Sequence, residues 1–191
     1  MSIGSTEPNM GSDMNIFYLD HDAETAARMH CDKHCVKMIL ETAQLLSTAH
    51  RVLDGDRNAN LWSLYKLTHK NHPSAQWVRE STANYRWAFT LLVELCEEYT
   101  RRYDKRHKTT RLIEALGYYP NNLPEGEFTQ PPQCMPEPYH RSGDAVAAYR
   151  EYYIQDKSHF AKWQYSPTPD WWPWSVSGAL THNDTSSQGE A

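Results

Sequence analysis

The spacing of apolar residues predicts a long amphipathic helix near the start of the chain. From Ala23 to about Ala49, apolar side chains recur every three or four positions, and neither glycine nor proline interrupts them. This spacing places them along one face of a helix. The apolar positions are Met29, Val36, Ile39, Leu40, Ala43 and Leu46. Asp20 and Asp22 precede the segment and can cap its first turn.

Four further segments have helical patterns. A short helix is predicted over residues 61–67, and a second long helix over about 73–99, with proline at its first position. A short helix over 110–116 ends at Gly117, as helices often end at glycine. The last predicted helix spans about 144–165 and carries several aromatic side chains.

Two segments lack a helical pattern. Residues 15–20, NIFYLD, combine β-branched and aromatic side chains, which favour a short strand or extended segment. Residues 118–140 contain six prolines, which exclude helix and favour a loop. The sequence therefore predicts a mainly α fold in a single domain, with about three long helices, several short helices, one short N-terminal strand and a proline-rich loop.

Length and composition define the expected domain boundaries. A chain of 191 residues suffices for one domain of ordinary size. Residues 1–13 and 176–191 are small and polar, so we expect disordered tails around one helical domain at 14–175. The sequence shows neither an apolar run of about eighteen residues nor a signal-peptide core, so we expect no membrane span and a cytoplasmic protein. In that compartment the four cysteines are expected to be thiols.

The charge distribution neither indicates nor excludes a nucleic-acid partner. The formal net charge is -5, but all 19 lysines and arginines lie between Arg28 and Lys162. Five of the 24 acidic residues lie outside residues 14–169, which leaves 19 acids and 19 bases within that range. A neutral body of this kind can still present a basic face.

The first predicted helix carries ionisable side chains opposite its apolar face. The residues on this polar face are His30, His34, Lys37 and Glu41, with Lys33 at its edge. Imidazoles, amines and a carboxylate on one face can exchange protons or hold a phosphate near neutral pH. A solvated face of an ordinary amphipathic helix is the alternative, and the residues alone leave it open.

Other basic, amide and aromatic side chains are candidates for binding nucleic acid or phosphate. One group surrounds the start of the second long helix, where a helix N-terminus favours anions. Its members are Lys70, Asn71, His72, Trp77 and Arg79. A second group mixes rings with bases, which suits stacking beside phosphate contacts; its members include Tyr85, Arg150, Tyr152, Lys157 and Lys162. Helix capping by Asn71 and core packing of the rings are the alternatives.

Metal and cofactor sites are not predicted. Histidine and cysteine pairs occur at helical spacing, but no CxxC pair, HExxH motif or full ligand set accompanies them. The chain also lacks a glycine-rich phosphate loop, so a P-loop or Rossmann nucleotide site is excluded. We therefore expect neither a metal nor a cofactor.

Three motifs carry a resemblance to known families. They are MNIFYLD from Met14, CDKH at residues 31–34 and KNHP at residues 70–73. Over Met14 to about Trp172, the chain resembles a family of small, mostly bacteriophage-encoded proteins. More distantly, it resembles the pyrimidine-dimer DNA glycosylases of the endonuclease V type.

The second resemblance implies an all-α protein that grips duplex DNA and extrudes a base. It also implies that an amine nucleophile cuts the glycosidic bond and forms a Schiff base with the sugar. The family uses the N-terminal α-amine, whereas 13 residues precede Met14 here, and the family's catalytic carboxylate falls at Lys33 and His34. A lysine amine can form the same Schiff base. We therefore expect Lys33 or Lys37 to be the nucleophile, with His34 or Glu41 moving protons.

The sequence thus predicts a DNA-acting phage enzyme, glycosylase- or lyase-like, whose partner is DNA or a nucleotide. One alternative is a phage base-modification or nucleotide-processing enzyme on the same scaffold. The other is a non-catalytic module that binds nucleic acid or a host protein through the basic run at residues 101–111. The sequence leaves the oligomeric state open.

Overall fold

The computed structural model describes residues 14–175, so both predicted disordered tails lie outside the described residues. The described chain is helical and contains no β-strand, which confirms the mainly α prediction. Its α-helices are α1 (Ala23–Met29), α2 (Asp32–Asp54), α3 (Asp56–Leu61), α4 (Pro73–Val78), α5 (Thr82–Tyr103), α6 (Ile113–Gly117) and α7 (Ala145–Tyr152). Two 3₁₀ turns, Lys108–Leu112 and Glu137–Tyr139, and a π-helical turn, Tyr153–Lys157, complete the regular structure.

The N-terminal segment, residues 14–19, is buried, has no regular secondary structure and pairs with no strand in the described part of the chain. The short strand predicted there therefore does not form a sheet. Side chains of α7 bind the segment instead. Arg150 Nε donates to the Leu19 carbonyl at 2.8 Å, and the Tyr149 hydroxyl donates to Asn15 Oδ1 at 2.8 Å. These bonds satisfy polar groups of a buried segment that has no neighbouring strand.

The first predicted long helix is interrupted, and its two parts are α1 and α2. His30 and Cys31 adopt extended backbone angles, with ψ of 133° and 162°. Arg102 binds carbonyls left free by the break: its guanidinium donates to His30 O at 2.9 Å and to Arg28 O at 3.1 Å. Arg102 lies 72 residues from His30 in the sequence, so the local spacing of apolar residues does not predict this break.

The second predicted long helix is also interrupted. Helix α4 ends at Val78, and α5 begins at Thr82. Ser81 lies between them and caps α5, because its hydroxyl oxygen accepts a hydrogen bond from Asn84 N at 3.1 Å. The interruption reorients the chain before α5, which packs along α2 as the central helix pair of the fold.

The short helix predicted at residues 61–67 is wrong in position. Helix α3 precedes it, and Arg51 on α2 accounts for the difference. The Arg51 guanidinium donates to Asp56 Oδ1 at 2.6 Å and to Asn60 Oδ1 at 2.9 Å, which holds α3. It also donates to Tyr65 O at 2.7 Å and to Leu64 O at 3.0 Å, which holds the next segment extended.

The last predicted helix is shorter than expected, so the structure contains two long helices rather than three. Helix α7 ends at Tyr152 and passes into the π-helical turn up to Lys157. Beyond it the chain crosses to the junction of α1 and α2, where Trp163 Nε1 donates to Met29 O at 3.0 Å. This crossing closes residues 152–160 over α2. The proline-rich segment contains no α-helix, as predicted, and only one 3₁₀ turn.

Candidate active site

A small cavity lies where the N-terminal segment, α2 and the chain after α7 meet. Its volume is about 100 Å³, which corresponds to a few water molecules. It can admit one small part of a substrate, such as a phosphate or a sugar edge. The lining residues are Asn15, Phe17, Lys33, His34, Lys37, Tyr152, Lys157 and Phe160. Three amines and an imidazole thus meet between aromatic walls.

At one edge of this cavity an amine and a carboxylate are paired. Lys37 Nζ lies 3.3 Å from Glu41 Oε1; the lysine side chain is 42% exposed and the glutamate side chain 11%. The main-chain N–H of Asn15 donates to Glu41 Oε2 at 3.4 Å. Glu41 is therefore held from two sides, and its carboxylate can accept a proton from the partly exposed amine.

The other two cavity lysines contact aromatic rings. Lys33 Nζ lies 4.5 Å from the centre of the Phe160 ring, and Lys157 Nζ lies 4.5 Å from the Tyr152 ring. Burial lowers the pKa of Lys157, but hydrogen bonds to Asp156 and Tyr152 outweigh burial and raise this pKa above its usual value. Lys157 therefore stays positively charged, and the cavity attracts anions.

His34 lines the cavity as a neutral imidazole. Burial, together with the positive charges of nearby lysines, lowers the pKa of His34 to about 2. Its Nδ1 lies 2.6 Å from the Tyr153 hydroxyl, and its ring stacks on Phe17 with the centroids 4.3 Å apart. The imidazolium form needed for proton donation near neutral pH is therefore disfavoured, which favours a hydrogen-bonding role for His34.

The predicted apolar stripe is wrong at two positions. Val36 and Leu40 are 37% and 40% exposed, whereas His34 and Glu41, assigned to the opposite polar face, are 4% and 9% exposed. The N-terminal segment and residues 152–160 cover the polar side of α2. The helix therefore turns His34 and Glu41 inward while Lys33 and Lys37 stay exposed, and the alternative of an ordinary solvated face does not hold for His34 or Glu41.

His30 is close in sequence to the cavity but does not line it. Its side chain is fully buried, and Nδ1 lies 2.7 Å from the Ala26 carbonyl oxygen. Burial lowers the pKa of His30 to about 4, so it is uncharged near neutral pH. In this structure His30 has no access to a phosphate.

Trp77 and Tyr85, both expected to stack on bases, lie in the core. The Trp77 indole N–H donates to Thr129 O at 2.9 Å. The Tyr85 hydroxyl donates to Leu116 O at 2.9 Å and lies 3.0 Å from His50 Nε2. Both rings are almost inaccessible, at 4% and 0% exposure, which supports the packing alternative.

The KNHP turn leaves Lys70 and Asn71 exposed at the surface. His72, and not Asn71, caps α4, because His72 Nδ1 accepts a hydrogen bond from Ser74 N at 3.2 Å. The expected capping role of Asn71 is therefore wrong. Arg79 at the other end of α4 is half-buried, and its guanidinium donates to Ala75 O at 2.8 Å.

A chain of contacts connects the KNHP turn to the cavity. Ser74 Oγ lies 3.5 Å from Cys134 Sγ, and Asn15 Nδ2 donates to Cys134 O at 3.0 Å. The turn therefore lies on the Asn15 side of the cavity.

Arg150 and Lys162, both candidates for binding nucleic acid, have different surroundings in the structure. Arg150 binds the Leu19 carbonyl and also pairs with Asp20 at 3.1 Å, so it anchors the N-terminal segment. The Lys162 side chain is exposed, and its carbonyl accepts a hydrogen bond from Asp32 N at 2.8 Å. Only Lys162 keeps an ammonium group available at the surface.

The basic run proposed as a protein-binding surface contains one buried member. The Arg102 side chain is 0% exposed and pairs with Glu98 at 2.8 Å and with Asp32 at 3.0 Å. Arg101 and Lys105 are exposed. Substitution of Arg102 would therefore disturb the fold. A binding defect of such a variant would not show that Arg102 contacts a partner.

The described residues contain neither a cluster of metal ligands nor a helix that could span a membrane. Within residues 14–175, no three His, Cys, Asp or Glu side chains converge as metal ligands would. Over the same range, no helix combines the length and apolarity needed to cross a membrane. The four cysteines are unpaired thiols.

Sequence reasoning assigns no site role to three of the cavity residues, Asn15, Phe17 and Phe160. It places Tyr152 and Lys157 only in a wider group of aromatic and basic side chains. Asn15 and Phe17 belong to the NIFYLD motif, which predicts a short strand and carries part of the family resemblance. Tyr152, Lys157 and Phe160 belong to the aromatic and basic C-terminal segment. Tertiary packing brings these segments together, and no spacing along the chain encodes it.

The fold and cavity define a helical protein with an amine–carboxylate pair in a basic, aromatic-walled site. The family model described as pyrimidine dimer DNA glycosylase matches residues 14–111, slightly more than half of the chain. The chain belongs to this family, which indicates a DNA glycosylase-like protein with DNA as its substrate. No curated protein and no solved structure matches the chain. The match covers Asn15, α2 and the KNHP turn, whereas the cavity wall at 152–160 lies outside it.

Proposed function

We propose that this protein excises a base from damaged DNA, with Lys37 as the attacking amine and Glu41 as its general base. The observation that carries the proposal is the 3.3 Å separation of Lys37 Nζ from Glu41 Oε1 at the edge of the cavity. An amine attacks carbon only when it is deprotonated, and a neighbouring carboxylate can take up that proton. The resemblance to phage proteins adds phage infection as the setting.

The proposed reaction begins when Lys37 Nζ loses one proton to Glu41. The neutral amine then attacks C1′ of the sugar, a C–N bond forms, and the bond between C1′ and the base breaks. The base leaves with the bonding electrons and takes up a proton. Once Glu41 has passed its proton to the leaving base, it takes a second proton from the adduct nitrogen and gives it to O4′ as the bond between C1′ and O4′ breaks. The product is a protonated Schiff base between Nζ and C1′. β-Elimination from this imine can cleave the strand, and in either case hydrolysis of the imine releases Lys37.

Lys33 and Lys157 are assigned to phosphate binding. Both amines line the cavity that Lys37 borders, and each lies against an aromatic ring at 4.5 Å. Lys33 is the less suitable nucleophile because, within residues 14–175, it has no ion pair like the one between Lys37 and Glu41. Positive charges beside the reacting sugar hold the flanking phosphates in position.

Asn15 occupies the place that an N-terminal amine would need, next to Glu41. In this chain the Asn15 nitrogen is a peptide nitrogen, whose lone pair is delocalised into the preceding carbonyl. It donates to Glu41 at 3.4 Å but is not a nucleophile. Its assigned role is to orient the carboxylate towards Lys37.

Borohydride trapping tests the proposal directly, because borohydride reduces a Schiff base to a stable amine. The purified protein is incubated with ultraviolet-irradiated, abasic and undamaged duplexes in the presence of a chelator, and any adduct is mapped by mass spectrometry. We expect an adduct at Lys37 on damaged and abasic DNA. Lys37→Arg, which keeps the charge but forms no imine, should abolish it, whereas Lys33→Arg should retain it.

Two outcomes would contradict the assignment. An adduct at Lys33 or Lys157 would show that this lysine, and not Lys37, is the nucleophile. Absence of any adduct with an intact glycosidic bond would reject base excision and favour the base-modification alternative, which changes the base without releasing it. Release of free base is measured in the same reactions to separate these results.

A further inference from the structure

The buried side chain of Tyr153 contacts His34 on the side away from the cavity. The Tyr153 hydroxyl oxygen lies 2.6 Å from His34 Nδ1. The same oxygen accepts a hydrogen bond from the main-chain N–H of Cys31 at 3.2 Å. A peptide N–H can only donate, so the single hydroxyl hydrogen of Tyr153 remains for another acceptor.

Two acceptors are within reach of that hydrogen, His34 Nδ1 at 2.6 Å and Cys31 Sγ at 3.5 Å. Sulfur is a weak acceptor, whereas an unprotonated imidazole nitrogen is a good one. The shorter distance also fits a hydroxyl donor better than an imidazole N–H donor, because N–H donors usually lie about 2.9 Å from their acceptors. The Tyr153 hydroxyl therefore donates to His34 Nδ1.

We infer that Tyr153 holds His34 in the neutral tautomer that carries its hydrogen on Nε2, and that this Nε2–H serves as a hydrogen-bond donor for an oxygen atom of the DNA substrate in the cavity. Tyr153 is thus a positioning residue. The tautomer follows from the local geometry alone, whereas the identity of the acceptor rests on the proposed function. Neither the family match nor the sequence motifs assign a role to Tyr153.

The surroundings of His34 fix both the orientation and the charge of its ring. The Phe17 ring stacks on the His34 ring with an angle of 22° between the ring planes. The Phe160 ring packs edge-on against the His34 ring, with the two centroids 5.2 Å apart. The charged groups facing His34 are Lys33, Lys37 and Lys157, and His30 is the neighbouring imidazole. Burial and these positive charges keep the ring neutral, and the packing of Phe17 and Phe160 holds it with Nδ1 towards Tyr153.

A neutral Nε2–H stabilises negative charge without giving up its proton. When the bond between C1′ and the base breaks, electron density moves onto the oxygens of the leaving base. A donor already pointed into the cavity strengthens its hydrogen bond as that charge develops. Lysine side chains around the cavity are longer and more mobile, so they cannot provide a donor of fixed direction.

Nitrogen-15 NMR of the histidine rings tests the tautomer in the full chain without any substrate. In the unmodified protein we expect His34 to show a protonated Nε2 and an unprotonated Nδ1, unchanged from pH 5 to pH 8. Tyr153→Phe removes the hydroxyl and should shift His34 towards a mixture of tautomers. Tyr139→Phe, a second ring near the cavity whose hydroxyl does not contact His34, is the matched control.

A protonated Nδ1 in the unmodified protein would overturn the inference, even if Tyr153→Phe proved too unstable to study.

Single-turnover excision tests whether the Nε2–H of His34 acts as a donor to the substrate. Tyr153→Phe should lower the rate constant about tenfold, as expected for the loss of one hydrogen bond, with an unchanged dissociation constant for DNA. His34→Gln, which retains an N–H near the Nε2 position, should be less affected than His34→Ala. Equal losses in both His34 variants would reject the donor role. If the unmodified protein released no base, the proposed function would fail while the tautomer result still stood.

Discussion

The guanidinium of Arg102 on α5 donates to the main-chain oxygen of His30 at 2.9 Å and thereby bridges the junction between α1 and α2. The same side chain pairs with Glu98 and with Asp32 at the start of α2. One buried cation thus satisfies a broken helix end and two carboxylates. The position of α2, and with it the cavity, depends on this arrangement.

Loss of Arg102 is expected to destabilise the protein strongly. Arg102→Ala leaves Glu98 and Asp32 without their buried partner, which typically costs about 3–5 kcal/mol. Urea unfolding followed by circular dichroism measures the change in the free energy of unfolding. Arg101→Ala is the control, because Arg101 also pairs with Glu98 but is 50% exposed, and it should change the stability by at most about 1 kcal/mol. Equal effects of the two substitutions would contradict the bridging role.

Stability should fall as the pH decreases below about 6.5. Burial lowers the pKa values of His30 and His50 to about 4 and that of His34 to about 2, so the unfolded chain binds protons at these positions before the folded protein does. The unfolded state therefore gains stability as acid is added. Between pH 7 and pH 5.5 the expected loss is about 1 kcal/mol for each histidine.

Urea unfolding at the two pH values checks this pH dependence. The exposed His159→Gln variant should keep the full effect, whereas His50→Gln should reduce it by about one third if that variant folds. A free energy of unfolding that stays constant from pH 7 to pH 5.5 would show that the three imidazoles do not resist protonation.

Glu41→Gln should slow imine formation while leaving DNA binding largely unchanged. Glutamine keeps the shape of the side chain but cannot accept the proton of Lys37 as a carboxylate does. A lost general base typically lowers a rate by about 10²–10⁴-fold. Single-turnover trapping on an abasic duplex measures the rate, and fluorescence anisotropy measures the affinity. Unchanged trapping kinetics would remove Glu41 from the mechanism.

Lys33 and Lys157 should each contribute one phosphate contact. Replacing either lysine with glutamine should reduce the slope of log Kd against log salt concentration by about one. Lys108→Gln, an exposed lysine outside the cavity, should leave the slope unchanged. The comparison uses anisotropy titrations at several salt concentrations. An equal decrease for Lys108→Gln would indicate a diffuse basic surface instead of two defined contacts.

The sequence predicted those features that depend on local patterns. The helical class and the proline-rich loop follow from periodicity and from the backbone limits of proline. A helix does end at Gly117, but the expected glycine cap is wrong, because Gly117 is its last helical residue and Tyr118, with a φ of -83°, is the cap. The concentration of Lys33, His34, Lys37 and Glu41 on α2 is visible in the chain, and the structure places all four at or beside the cavity.

The features that the sequence did not predict depend on distant contacts. The helix break at residues 30–31 is stabilised by hydrogen bonds from Arg102, and the break at residues 79–81 by the Ser81 cap of α5. The spacing of apolar residues continues through both breaks and therefore does not reveal them. Val36 and Leu40 are exposed because distant segments cover the opposite side of α2. Residue type alone does not show whether Trp77 and Tyr85 lie in the core or at the surface, because aromatic side chains are common both in cores and in binding sites.

The cavity combines residues from Asn15 to Phe160, so its two halves are separated by almost the whole described chain. During synthesis the N-terminal half of the site emerges from the ribosome long before the half that completes it. A nascent chain that has reached only Arg111 contains the entire family-matched region, yet it lacks the wall formed by residues 152–160. Lys33, Lys37 and Glu41 all lie on α2 and are synthesised early, whereas Lys157 and the rings of Tyr152 and Phe160 follow much later. The cavity is therefore complete only after synthesis has passed residue 160 and this segment has packed against α2.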